Sequence, residues 1–143
     1  MDKRGMKYKT LNDCPLFPVG EDVEIWYARL YSFLIMVISK DNVFNPDKIG
    51  DTHDLLGTLK SLSGIESGGA DELATLYRNL QGEIWSPKGE ASDLIRSKGL
   101  SHTSMSVGDI IRFKNGTMYM VSPIGWDRYD PKDFKPYTET ANH

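Results

Sequence analysis

The strongest periodicity in the chain lies between residues 21 and 39. There Val23, Trp26, Tyr27, Leu30, Phe33, Leu34 and Val37 recur at steps of three and four, a spacing that lines one helical face and predicts a helix over Glu21–Ser39. Glu21, Asp22 and Glu24 place negative charge in its first turn and Lys40 positive charge beyond its end, as the macrodipole favours. Ile25, Ile35, Met36 and Ile38 fall off the stripe, so this helix is apolar on more than one side. It is expected at the centre of the fold, with Trp26 in the core. Asp51–Leu62 reads as a second helix interrupted by Gly57, with His53 at a solvated position on it. After a flexible loop over Ser63–Gly69, a third helix over Ala70–Gln81 carries Leu73, Leu76, Tyr77 and Leu80 on one face and stops at Gly82. Ser86-Pro87 then supplies an N-cap and a first-turn proline for a short fourth helix ending at Gly99.

Beyond residue 109 the period changes from 3.6 to 2. Ile110–Phe113 and Thr117–Val121 flank Lys114-Asn115-Gly116, and Asn-Gly is the strongest short hairpin signal. At the other end, Tyr8 and Thr10 alternate with Lys7 and Lys9 and suggest a short strand over Met6–Leu11. The expected architecture is α+β: about four helices around the long central one, with a small antiparallel sheet made by the C-terminal hairpin, to which the N-terminal strand is an optional addition. Residues 1–129 form a single domain in this reading, and 130–143, poor in apolar side chains, a loosely held tail. Met118 and Met120 share one face of the hairpin while Tyr119 and Val121 share the other. A sheet so small is not expected to bury both, which makes its second face a candidate contact surface.

Composition narrows the class. The 143 residues fit one domain, and an apolar share of 39% suits a globular chain. The apolar run Leu30–Ser39 is too short to span a bilayer, and the charged start Met1–Arg4 does not resemble a signal peptide, so a soluble cytosolic protein is expected. The net charge is -3, and residues 101–143 carry 5 basic against 5 acidic side chains. Without a basic block, non-specific nucleic-acid binding is disfavoured. The lone Cys14 rules out an intrachain disulfide, agrees with a reducing compartment and reads as a small buried side chain rather than a nucleophile.

Candidate chemistry is sparse. His102, Ser104, Ser106 and Asp109 lie close in sequence but lack the Gly-x-Ser-x-Gly elbow of a hydrolase; Gly108-Asp109 reads instead as a turn whose polar side chains bond local backbone groups. His53, His102 and His143 are too scattered to hold a metal, and no phosphate-cradling glycine run occurs, so no catalytic residue, metal or cofactor is assigned. Trp85 and Trp126 sit at element boundaries, where a ring either covers the edge of the core or faces a partner. Arg112, Lys114 and Arg128 lie near Tyr119 and Trp126 in sequence, which suggests an alternative: a hairpin that binds single-stranded nucleic acid.

The segment Leu80–Trp126 resembles a family of small bacteriophage proteins, frequent in tailed phages of marine cyanobacteria and related hosts. The resemblance rests on Trp-Ser-Pro-x-Gly-Glu-Ala at Trp85–Ala91, His-Thr-Ser-Met-Ser-Val-Gly-Asp at His102–Asp109, the hairpin, and Gly125-Trp126. The Ser-x-Ser-x-Gly-Asp core is also similar to YodL-like domains. It covers about a third of the chain, and the first 79 residues match no such pattern. It implies a viral, non-structural protein of the host cytoplasm and brings no assigned activity. The function expected from it is a non-catalytic accessory protein that binds a host protein, as a takeover or anti-defence inhibitor, with no membrane partner and a homo-oligomer left open. The contact residues expected are His102, Thr103, Ser104, Met105, Ser106, Asp109, Tyr119, Trp85 and Trp126.

Overall fold

The computed structural model describes residues 7–29, 45–86, 88–100 and 104–131. Five strands, β1 (Val23–Ala28), β2 (His53–Leu59), β3 (Ile110–Phe113), β4 (Met118–Ser122) and β5 (Gly125–Tyr129), form one sheet in the order β2-β1-β3-β4-β5. Every neighbouring pair is antiparallel. The α-helices among the described residues are α1 (Ala70–Asn79) and the six-residue α2 (Ser92–Ser97). The architecture is largely β. Four helices around a long central one is therefore the wrong description, and the correction begins at the segment expected to be that helix.

Over Val23–Ala28 the backbone is a strand in which Val23, Ile25 and Tyr27 are fully buried and Glu24 and Trp26 half-buried. The same letters that place Val23, Trp26 and Tyr27 on a helical stripe also alternate with period 2, and their β-branched and aromatic side chains suit a sheet lined on both sides by neighbours. Trp26 is not at the core's centre. It lies against a smaller cluster on the second face, and its Nε1 donates to Glu24 Oε1 at 2.9 Å. The remainder of the expected helix lies outside the described residues.

The second expected helix is β2. Its register against β1 slips between Ile25 and Trp26, which face Gly57 and Leu55, so Leu56 is an extra residue in a bulge. The bulge shifts the alternation by one place, and the buried positions His53, Leu56 and Leu59 come at steps of three. The N-terminal strand is absent from 7–11. Instead, Asp13 Oδ2 accepts from the backbone N–H groups of Lys9 (2.7 Å) and Thr10 (3.0 Å), which tightens Leu11–Asp13 into a 3-10 turn. Leu11 from that turn packs over Gly57.

The third helix and the hairpin are where the sequence pattern places them. α1 buries Leu73 and Leu76, with Leu80 buried just past its end, and the β3–β4 turn closes with Phe113 N donating to Thr117 O at 2.8 Å. The fourth helix starts later than its proline signal, at Ser92. The main core lies between the helices and one sheet face and takes in Ile25, Tyr27, Leu76, Trp85, Ile95 and Ile111. On the other face Ile110, Met118 and Met120 pack with Ile49, and Met118 and Met120 are only 1% and 9% exposed. Both faces of the hairpin are thus buried, so neither offers the flat apolar contact surface expected of it. β5 was not anticipated, and Asp130 just beyond it accepts from Arg128 Nε at 2.6 Å. Among the described residues, no helix is long and apolar enough to cross a membrane.

Candidate functional site

The two sequence motifs converge at one end of the sheet, and most of their residues are scaffold. Trp85 is fully buried, edge-on to Phe17 with ring centroids 6.1 Å apart. Behind it the chain doubles back so tightly that a Cβ on Gly89 would lie 2.1 Å from the Glu83 carbonyl oxygen, and Ala91 N donates to Ile84 O at 3.1 Å. Glycine is required there because the backbone itself fills the space. The loop before β3 is fastened to this turn: Ser104 Oγ donates to the Trp85 carbonyl at 3.0 Å, and Gln81 Nε2 donates to the Met105 carbonyl at 2.8 Å.

Asp109 is fully buried and holds this end together. Its Oδ1 accepts from Ala28 N and its Oδ2 from Ser106 N, each at 2.8 Å. Gly108, at φ 97, turns the backbone so that its own N–H reaches Val121 O at 2.9 Å while its carbonyl faces His53. His53 is buried rather than solvated: its Nε2 lies 2.7 Å from Gly108 O and its Nδ1 2.7 Å from Thr52 Oγ1. A carbonyl can only accept, so Nε2 carries the proton and, in the neutral ring, Nδ1 accepts from the threonine hydroxyl. Both ring nitrogens are engaged, Nε2 tying β2 to the turn before β3 and Nδ1 holding the ring against Thr52. Burial beside Asp109 holds the Tyr27 phenol well above its ordinary value, with desolvation the larger cause.

Of the residues expected to meet a partner, Trp85, Met105, Asp109 and Tyr119 are therefore buried and present no docking surface. Tyr119 directs its hydroxyl to the Ser67 carbonyl at 3.0 Å. Ser104 is half-buried, Ser106 is exposed, and His102 and Thr103 lie outside the described residues.

Trp126 is different. It stands on β5 against Tyr77 of α1, the rings 6.0 Å apart and nearly perpendicular at 86°. With Ala74, Val121, Ser122, Pro123 and Gly125 they line an open groove of about 390 Å³. Next to it, at the tip of the β4–β5 turn, Ile124 is 97% exposed. The helical spacing puts Tyr77 on the apolar face of α1 with Leu73 and Leu76, and no alternation marks β5, so the pairing of these two rings is not legible in the sequence. The signal available was the Ser122-Pro123-Ile124-Gly125 turn following a strand.

The basic residues do not form one surface. Arg112 is paired in register with Met118 and Arg128 with Tyr119, adjacent positions on β4 that point to opposite faces. Each cation also has a carboxylate: Arg112 with Glu24 at 3.5 Å, Lys114 with Asp22 at 3.8 Å and Arg128 with Asp130 at 2.6 Å. Arg128 further lies over the Tyr119 ring, 5.6 Å from its centre. Among the described residues, no three histidine, cysteine or acidic side chains converge as a metal site. Compared with protein-family models, with curated proteins and with solved structures, the chain matches none of them.

Proposed function

We propose that this chain is a non-catalytic accessory protein, of the phage kind its motifs resemble, that docks onto a host protein in the host cytoplasm and inhibits or diverts it. The observation that carries this reading is the groove between Tyr77 and Trp126 with a nearly bare isoleucine at its rim. Aromatic rings and an exposed aliphatic side chain grouped on one edge are what a protein contact uses, and an exposed isoleucine at a turn gains nothing for the isolated fold. The motif residues support this role by rigidity, since Trp85, Gly89 and Asp109 fix the turn and loop beside the groove. The polar groups at this end are spent within the fold, Asp109 on the backbone N–H groups of Ala28 and Ser106 and His53 on the Gly108 carbonyl and the Thr52 hydroxyl, which favours binding over chemistry.

The test is capture of partners from host lysate with the full chain and with Ile124→Glu, which changes an exposed side chain. One partner retained by the parent chain and lost with Ile124→Glu is the expected result. Capture of the same proteins by both chains, or of none by either, overturns the reading.

A further inference from the structure

We propose that the segment received by the Tyr77–Trp126 groove is an extended, proline-bearing stretch of the partner with an acidic residue at its flank; this rests on the groove being the docking surface. The argument starts from what the groove can donate. Trp126 Nε1 is a donor only, and the Tyr77 hydroxyl can donate as well. Neither has a hydrogen-bond partner among the described residues; Tyr77 is an exposed side chain, and Trp126 Nε1 is not among the buried unpaired atoms. A ligand that fits must bring carbonyl acceptors and apolar faces.

A helix uses its carbonyls internally, and a β-strand would pair with the border of β5 in the plane of the sheet rather than lie between Trp126 and Tyr77 on the face toward α1. A polyproline II segment leaves its carbonyls free, lacks N–H groups at each proline and presents pyrrolidine faces to aromatic rings. The perpendicular rings of Tyr77 and Trp126 leave a step between two apolar surfaces, and Pro123 continues the wall. The volume lies within the range of about 300–1,000 Å³ usual for ligand clefts.

The flanking charge follows from Arg78. It is exposed, it lies one turn beyond Ala74 on the same helical face, and no carboxylate pairs with it among the described residues. The three basic residues of the hairpin region are all paired. Arg78 is thus a cation next to the groove with its charge available, and it complements an acidic residue in the incoming segment.

Three labelled peptides titrated against the full chain by fluorescence anisotropy test this: an oligoproline flanked by aspartates, the same flanked by lysines, and a glycine-serine peptide flanked by aspartates. The aspartate-flanked oligoproline should bind saturably and most tightly. Arg78→Glu should weaken it by about two- to fivefold and reverse the preference between aspartate and lysine flanks. Tyr77→Phe should weaken it by about threefold or more without lowering the melting temperature. Absence of oligoproline binding, or equal binding of the glycine-serine peptide, overturns the proposal. If that happens while Ile124→Glu still strips the host partner, the docking function stands and only the ligand class falls. Saturable oligoproline binding without any host capture supports the ligand class and removes the host reading. A species of twice the chain mass in sedimentation, dispersed by Ile124→Glu, would place a second copy in the groove and also overturn the proposal.

Discussion

Two carboxylates are buried among the described residues, and they are used differently. Asp109, 0% exposed, accepts from Ala28 N across 81 residues of sequence and from Ser106 N nearby. Glu72, 4% exposed, sits in the first turn of α1 and accepts from Leu62 N at 2.7 Å and from the hydroxyls of Ser61 and Ser63, all within 11 residues. Each offsets the cost of burying charge with several donors. Asp109, however, joins the end of β1 to the loop entering β3, whereas Glu72 organises one loop around one helix start, where the helix dipole also favours it. A buried charge is therefore a fold-wide tie or a local one according to how far along the chain its donors lie.

The largest effect is expected from Asp109→Ala, which leaves the buried Ala28 N–H and the part-buried Ser106 N–H without their acceptor. A loss of about 3 kcal/mol or more in urea unfolding is expected, and a loss below about 1 kcal/mol would show that water replaces the carboxylate there. The same region should respond to alkaline pH. Tyr27 is raised by burial and by Asp109, Tyr129 by burial and Asp127, and Tyr8 to about 12 by burial and then by Cys14. A phenol with a raised folded value holds its proton more tightly in the folded state, so its contribution is intact below the unfolded value of about 10 and is lost as pH climbs toward the folded value. Stability should stay flat with respect to these groups up to about pH 10 and fall above it, and Tyr27→Phe should make that fall shallower in pH-dependent thermal melts.

Glu72→Gln is expected to cost about 1 kcal/mol, with amide exchange accelerating at Leu62 and its neighbours while β1 and β3 keep their protection. Equal acceleration everywhere would erase the distinction between the two carboxylates. Smallest of all should be Trp85→Phe. The Trp85 Nε1 is buried without a hydrogen-bond partner among the described residues, so removing it relieves an unsatisfied donor while losing some packing. The two effects should nearly cancel, to within about 1 kcal/mol.

What could be read from the chain follows from how one-sided each element is. α1 is legible because Leu73 and Leu76, with Leu80 just past its end, face the core while most of its other side chains, Glu72 apart, face outward, and the β3–β4 hairpin because Asn115-Gly116 specifies its turn. β1 carries apolar groups on both faces, so its alternation could be overlaid by a three-and-four spacing that runs on past Arg29. The bulge at Leu56 made β2 mimic a helix in the spacing of its buried side chains. β5 is an edge strand with Trp126 and Tyr129 half-buried and the rest exposed, too little contrast for a period to show. The candidate site fared likewise. Trp126 was picked out as a boundary aromatic, but its partner Tyr77 comes from 49 positions earlier, and the tie from Asp109 to Ala28 spans more. Juxtapositions of that length are made by the sheet, not by local spacing.

The Asn12 side chain has a consequence for how copies of this protein can meet. Its amide nitrogen lies 2.9 Å from both Thr58 O and Phe17 O, and Lys60 N donates to Pro18 O at 2.9 Å, so the segment from Asn12 to Pro18 is fastened to the C-terminal end of β2. Among the described strands β5 is the other border of the sheet, and it bears Asp127 and Arg128. Polymerisation by strand addition needs two free borders on every molecule, one to receive and one to offer. Where the chain's own segment occupies the Thr58–Lys60 end of β2, that border offers fewer free groups for such growth.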